Sequence, residues 1–216
     1  ALRRAVAYAC EHPGTTLYFP KGIYELKDKE AIALETKVLN GEMGENPEKV
    51  IYTPYYPYVK GLDFTGAKQV TVLADQVTLL CEGWMEPISL DQCEDVTVKG
   101  ITIDYKRKPF VSGDIVEITS DYFDVQFGED KIVTEKMPLT RMTFWDKEKN
   151  RLYPEPIYFP KRELLGGNKV RFYHSLPQTL KGSNATALNS FHFRPAILVY
   201  RSVSTCLEDV TIHAQP

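Results

Sequence analysis

Gln69-Val70-Thr71-Val72, Gln76-Val77-Thr78-Leu79, Asp95-Val96-Thr97-Val98 and Asp209-Val210-Thr211-Ile212 are versions of one phrase. In each, a polar residue able to bond a turn leads a short β-type run. A single unit of this size cannot bury its own apolar face, so copies must stack to be stable. Alternation of Val, Ile and Leu with Thr suits short strands stacked in parallel, each followed by a tight turn. The pattern predicts an all-β chain built as a right-handed parallel β-helix, whose flank offers a groove for long polymers.

Working outward, Leu2, Ala5, Val6, Ala9 and Cys10 follow helical spacing, and Pro13-Gly14 ends that helix. Such a helix can cap the open apolar end of a stack. The run from Thr15 to Leu26 reads strand, Pro20-Lys21-Gly22 turn, strand, the first coil. Residues 27–58 read as an irregular loop rich in tyrosine (Tyr52, Tyr55, Tyr56, Tyr58), the kind of long loop that forms a lid or an insertion. Short strands then recur at 60–64, 70–73, 77–81, 88–90, 96–98 and 101–103.

After Tyr105 the grammar changes. Strands are predicted at 115–118, 122–127, 131–134, 142–145, 151–153 and 169–173. The turns between them include Gly128-Glu129-Asp130, Asp146 to Asn150 and Gly166-Gly167-Asn168. The coil pattern returns at 194–200 and 206–213, where Cys206-Leu207-Glu208-Asp209-Val210-Thr211 echoes Cys93-Glu94-Asp95-Val96-Thr97. The expected organisation is a helix cap and first coils over 1–106, an inserted antiparallel β module over 107–187, and a return to the β-helix over 188–216. The chain opens without Met and breaks off at Pro216, just after a strand, so it reads as a piece of a longer protein.

The formal net charge of −3 gives no reason to expect nucleic acid or an anionic membrane as partner. No apolar run is long enough to span a membrane. Cys10, Cys81, Cys93 and Cys206 show neither CxxC nor Cys/His ligand spacing, so free buried thiols are expected and a metal site is not. Tyrosine is plentiful, and its apolar face with a polar tip suits sugar surfaces, although packing under loops is the commoner use.

Three segments resemble one family. Gly14-Thr15-Thr16-Leu17-Tyr18-Phe19-Pro20-Lys21-Gly22-Ile23-Tyr24 is similar to the opening coil of many β-helix carbohydrate-active enzymes. Val98-Lys99-Gly100-Ile101-Thr102-Ile103-Asp104-Tyr105, with Pro109-Phe110 and Gly113-Asp114-Ile115, resembles the segment where glycoside hydrolase family 110, the bacterial α-1,3-galactosidases, leaves its β-helix for an inserted barrel. His192-Phe193-Arg194-Pro195-Ala196-Ile197 through Val210-Thr211-Ile212-His213 resembles that family's return. Lys106-Arg107-Lys108 departs from the acidic residue the family pattern places after the Asp-Tyr pair.

The resemblance implies exo-acting, inverting hydrolysis of terminal α-linked galactose by a secreted or periplasmic protein, with an oligo- or polysaccharide substrate and no cofactor or metal. It also implies that the catalytic carboxylates lie on coils following His213, beyond Pro216, so 1–216 alone is expected to be inactive. Five residues are substrate-binding candidates. Asp104 ends a strand where a groove opens, or caps the turn out of the solenoid. Arg194 carries a fork of donors for sugar hydroxyls and is expected to face Asp104, either as a sugar ligand or as a structural ion pair. His192 and His213 bracket the returning coils as hydrogen-bonding groups or satisfied histidines. Trp84 is a stacking platform if exposed and a packing anchor if buried, and the same holds for Trp145. The run 106–108 attracts an acidic glycan or is simply solvated. A polysaccharide lyase and a non-catalytic glycan-binding adhesin are the rival functions on such a fold.

Overall fold

The computed structural model describes residues 1–52, 56–129, 133–189 and 195–213. In chain order its first part holds α1 (Leu2–Glu11), β1 (Thr16–Phe19), β2 (Gly22–Lys27), α2 (Lys29–Leu39), α3 (Glu48–Ile51), β3 (Lys60–Asp63), β4 (Lys68–Glu82), β5 (Glu86–Asp91) and β6 (Glu94–Tyr105). There follow β7 (Phe110–Ile118), β8 (Phe123–Phe127), β9 (Arg141–Asp146), β10 (Arg151–Leu152), β11 (Ile157–Tyr158), β12 (Arg162–Gly166), β13 (Lys169–Phe172), a 3-10 turn (Gln178–Leu180) and β14 (Asn184–Leu188). The chain closes with β15 (Ile197–Tyr200), β16 (Val203–Glu208) and β17 (Thr211–Ile212). It is mostly β and divides into two compact units. Unit 1 is Ala1–Glu35, Pro57–Lys108 and Arg194–Gln215; unit 2 includes Thr36–Tyr56 and Pro109–Phe193.

Unit 1 consists of parallel ladders. One sheet runs β1–β4–β6–β16, with β2 on β4 and β17 on β6; a second runs β15–β5–β3. The register stacks like on like: Val70 pairs with Val96, Val72 with Val98, Val77 with Ile101 and Leu79 with Ile103, all turned inward and essentially unexposed. The Thr residues between them face outward, as in Thr71–Thr97–Cys206 and Thr78–Thr102–Thr211. α1 lies against β3, where Arg3 Nε donates to Gly61 O at 3.1 Å and Val6 and Ala9 are buried.

Backbone geometry explains the repeated phrase. Its leading residues, Gln69, Gln76, Asp95 and Asp209, all adopt left-handed φ, at 52°, 51°, 56° and 50°. A left-handed residue turns the chain sharply, and the next apolar side chain then points inward. The register stacks these corners: Gly14, Gln69, Asp95 and Ser204 form one column, and Gln76, Gly100 and Asp209 a second. Gly66, Gln92 and Arg201 form a third, joined by Gly66 N to Asp91 O at 2.8 Å and Gln92 N to Tyr200 O at 3.0 Å. Non-glycine residues bear about 1–2 kcal/mol of strain at such a corner, tolerable where the ladder gains hydrogen bonds on both sides. At Gly100 (φ 79°) glycine is required on two counts, because a Cβ there would lie 2.0 Å from Ala74 O.

The register also shows where the echoed phrases stand. The echo between Asp95-Val96-Thr97 and Asp209-Val210-Thr211 does not mark equivalent places. Asp95 stands opposite Ser204, whereas Thr211 pairs with Thr102, so Asp209 sits at the next corner along, beside Gly100. Two corners impose the same demand, a left-handed residue followed by inward apolar and outward polar positions, so they attract the same phrase.

The stretch 27–58 is likewise not an irregular loop throughout. It contains α2, opened by Asp28, whose Oδ1 accepts from Glu30 N at 2.9 Å. Ala31, Leu34 and Val38 are its buried positions, at helical spacing. Residues 53–55, which include Tyr55, lie outside the described residues.

Unit 2 is an antiparallel sheet in the order β10–β9–β14–β7–β8–β13–β12, with β11 on β9. The turns expected at 146–150 and 166–168 connect β9 to β10 and β12 to β13. Asp146 Oδ1 accepts from the amides of Glu148 and Lys149 at 3.1 and 3.0 Å, and Asn150, Gly166, Gly167 and Asn168 supply positive φ. Strands β12 and β14 are not evident in the sequence pattern. Part of the expected turn at 128–130 and strand at 131–134 lies outside the described residues. The core is aromatic: Phe123 stacks on Phe172 with centroids 5.3 Å apart and meets Phe144 edge-on at 5.7 Å.

Candidate functional site

Outward-facing positions at one end of the parallel ladder carry a group of charged residues. Glu25, Leu80 and Asp104 share one row, on β2, β4 and β6. His213 follows β17, donates its backbone N–H to Ile103 O at 2.8 Å, and so extends the row. Its Nδ1 lies 3.6 Å from Asp104 Oδ2, an ion-pair distance when the imidazole is protonated. Asp104 Oδ1 accepts from the Tyr105 amide at 2.8 Å, which orients the carboxylate. Two of the five candidates thus come together. His192 and Arg194, the latter expected to face Asp104, lie outside the described residues; among the described residues His213 lies at ion-pair distance from Asp104.

The catalytic carboxylates expected beyond Pro216 are not placed by this structure. Its last described residue is His213, and Pro216 itself, with Ala214 and Gln215, lies outside the described residues.

Of the two readings open for each tryptophan, Trp84 takes the packing anchor, which removes it from the substrate-binding candidates, and Trp145 the exposed position. Trp84 is 1% exposed and offers no stacking face. It sits where α2 crosses close to β4: its backbone N–H donates to Ala31 O at 3.0 Å, and a Cβ on Gly83 would lie 2.4 Å from Ile32 N. Close backbone approach leaves the indole nowhere to go but inward. Trp145 is the reverse, 45% exposed on an outward position of β9.

The next row is an alternating ladder of charge. Lys27 and Lys106 each bind Glu82, at 2.7 and 2.9 Å, and Lys106 also reaches Glu25 at 3.1 Å. Hydrogen bonds from Lys106 and Lys27 hold the Glu82 carboxyl below the usual range, and Lys106 is raised in return. Glu35 on α2 shows the opposite behaviour. Burial pushes its pKa up, and repulsion from Glu82 adds to this against attraction from Arg107. The run Lys106-Arg107-Lys108 is therefore not a free cationic patch; its first two members face carboxylates of the same unit. Beneath the strip, burial and the nearby Asp104 charge push the Cys81 thiol up to about 12, so it is an inert core group. All four cysteines are free, Cys206 on an exposed position contrary to the expectation of burial.

Sequence reading missed Glu25, Glu82 and Glu35. The usable signal was register. Once Ile23, Thr78 and Thr102 are placed side by side, Glu25, Leu80 and Asp104 must share a row. Strand spacing puts Glu25 and Asp104 about 9.5 Å apart at Cα, with one strand between them. Among the described residues no group of His, Cys, Asp and Glu is arranged to hold a metal ion, and no helix is long and apolar enough to cross a membrane.

Comparison with known proteins now adds a chemical class. The alpha-1,3-galactosidase B of Akkermansia muciniphila is 22% identical over 232 aligned positions, covering 99% of this chain and 28% of that protein. The alpha-1,3-galactosidases B and A of Bacteroides thetaiotaomicron are 24% and 29% identical, each over 58% of this chain and over 18% and 21% of their own lengths. The chain is similar to alpha-1,3-galactosidases. It spans less than a third of the length of these curated relatives. No family model matches it.

Proposed function

We propose that the whole protein is a glycoside hydrolase that removes terminal α-linked galactose from glycans, exo-acting and with inversion, in the manner of glycoside hydrolase family 110. On this reading unit 1 opens a right-handed parallel β-helix, and the antiparallel module of residues 107–187 is inserted into one of its coils. The protein acts outside the cytoplasm, in the periplasm or as a secreted enzyme. The observation that carries the reading is the Asp104–His213 pair at the end of an outward-facing row, in a chain similar along its length to a galactosidase.

Inverting hydrolysis needs a carboxylic acid to protonate the leaving oxygen and a carboxylate to activate water, about 6.5–9.5 Å apart. A parallel ladder suits that demand, because outward positions on alternate strands fall close to this spacing. Asp104 and His213 take the role of sugar-hydroxyl ligands: the carboxylate accepts from hydroxyls, and the imidazole donates or accepts at its second nitrogen. The acid and base themselves belong to coils beyond Pro216, and the segment 1–216 alone releases no sugar.

The test is galactose release from α-1,3-galactobiose by the full-length gene product, with the first-formed anomer read by NMR. β-Galactose as initial product supports inversion, and α-galactose refutes it. Ultraviolet-absorbing unsaturated products would make the protein a lyase, and binding without turnover would make it an adhesin.

A further inference from the structure

Unit 2 contains a cleft of about 880 Å³ between the segment after α2 and the chain flanking β11 and β12. This lies within the size range of small-ligand sites, about 300–1,000 Å³. Phe159 and Pro160 form part of its lining, with Met137 and Leu164. Glu45, Glu135 and Glu163 line it as well, against Lys136, Lys161 and Arg162, so its formal charge sums to zero.

Phe159 is the unusual residue. Its φ is 47°, a left-handed value rare for a bulky side chain, and it precedes Pro160, which further restricts its backbone. Its N–H is held by Thr140 O at 3.1 Å, and its side chain is left 49% exposed rather than turned into the core. Such strain costs about 1–3 kcal/mol and concentrates at ligand clamps. The cleft wall opposite is fixed by Arg162, whose Nη2 donates to the carbonyls of Thr134 at 3.0 Å, Glu135 at 2.8 Å and Met137. That spends the guanidinium on the protein itself. Gly41 seals the other side: a Cβ there would lie 2.5 Å from Lys136 O. Glu163 is oriented by a hydrogen bond from Tyr173, whose ring also lies 5.4 Å from Lys161 Nζ.

We infer that this cleft binds a neutral saccharide, with the face of Phe159 stacking on a sugar ring and Glu45, Glu135 and Glu163 accepting from its hydroxyls. The charge balance decides the class. A phosphate or uronate polymer would meet three carboxylates, and a cationic peptide three cations, whereas a neutral polyol can use both kinds of group. A fixed, exposed aromatic face beside hydrogen-bonding groups suits a ring with one apolar face and equatorial hydroxyls. The inference rests on the lining of the cleft and stands whether or not the whole protein hydrolyses galactosides.

The test is retention of residues 1–216 on an array of neutral, sialylated and sulfated oligosaccharides, followed by titration of the best-bound sugar. Neutral glycans are expected to be retained, and Phe159→Ala to weaken them at least tenfold. Phe159→Gly separates function from folding: it relieves the left-handed strain, so it is expected to lose binding with an unchanged or raised Tm. Retention of only acidic glycans, retention of none, or binding by both Phe159 variants as tight as that of the unaltered chain overturns the proposal. So does binding abolished by Asp104→Asn but not by Phe159→Ala, which would place the sugar on unit 1. Failure to release galactose leaves this result unaffected.

Discussion

The two units solve the same packing problem by different means. Unit 1 repeats one local device, a left-handed corner followed by an inward apolar residue, and lets parallel register stack identical side chains. Unit 2 has no repeat: hairpins set its pairing, and a cluster of phenylalanines fills its core. The difference teaches where stability is vulnerable. In unit 1 it is concentrated in backbone geometry at the corners, and in unit 2 in side-chain volume.

This contrast can be broken in several ways, the largest expected effect first. Gly100→Val should destabilise unit 1 by about 4 kcal/mol or more, since the side chain meets the Ala74 carbonyl and the backbone is left-handed. Loss of cooperative urea unfolding for unit 1 checks it. Gly14, at φ 84° with open space around its Cβ position, is the control: Gly14→Asn should cost about 1 kcal/mol or less. Phe144→Ala should cost unit 2 about 3–5 kcal/mol through cavity formation, and hydrogen exchange should show amides of unit 2 losing protection before those of β4 and β6.

Asp124→Asn sharpens the comparison further. Asp124 is fully buried on β8, where Arg171 grips it at 2.9 and 3.1 Å and stacks over the Tyr122 ring, with Lys169 at 3.5 Å. Burial alone would raise its pKa, but the bonds and charge of Arg171, aided by Lys169, outweigh this and hold it below the usual carboxylate range. A depressed carboxylate stabilises the fold above its unfolded pKa, about 3.9, and that stability is lost as pH falls through the lower folded value. The substitution should therefore cost about 2 kcal/mol at neutral pH and flatten the acid limb of the unfolding profile of unit 2 below about pH 4. An acid limb unchanged in Asp124→Asn would contradict the assignment. The smallest effect is expected at Trp145, where Trp145→Ala should shift stability within about 0.5 kcal/mol because nearly half the side chain is exposed.

Legibility followed the same division. The strands of unit 1 were readable because Val70, Val72, Val77 and Leu79 alternate with polar residues in a pattern that recurs at Val96 to Ile103. The left-handed role of Gln69 and Gln76 was not readable, since Gln has no conformational preference announcing it; only the stacked corners reveal it. α2 was obscured by the Gly- and Pro-rich stretch that follows it. In unit 2 the turn residues at 146–150 and 166–168 were legible, whereas β14 was not, because Asn184-Ala185-Thr186-Ala187 has weak strand propensity and is held by β7 and β9 on either side. At the candidate site, Asp104 and His213 were visible as isolated residues, but Glu25 and Glu82 acquire meaning only through cross-strand register. Trp84 could be read either as an exposed platform or as a buried anchor, because the sequence does not show that Gly83 lets α2 approach and so turns the indole inward.

The central claim is that the chain returns to the parallel ladder in register after residue 193, so that Thr97 on β6 stands beside Cys206 on β16. Adjacent outward positions on paired strands lie about 4.8 Å apart, within disulfide reach. A single Thr97→Cys substitution, oxidised in air and mapped by peptide mass spectrometry, should yield a 97–206 disulfide in the folded protein. A bond from residue 97 to Cys10, Cys81 or Cys93 instead, or no bond under conditions that oxidise Cys206 alone, would contradict the stacked ladder and the reading built on it.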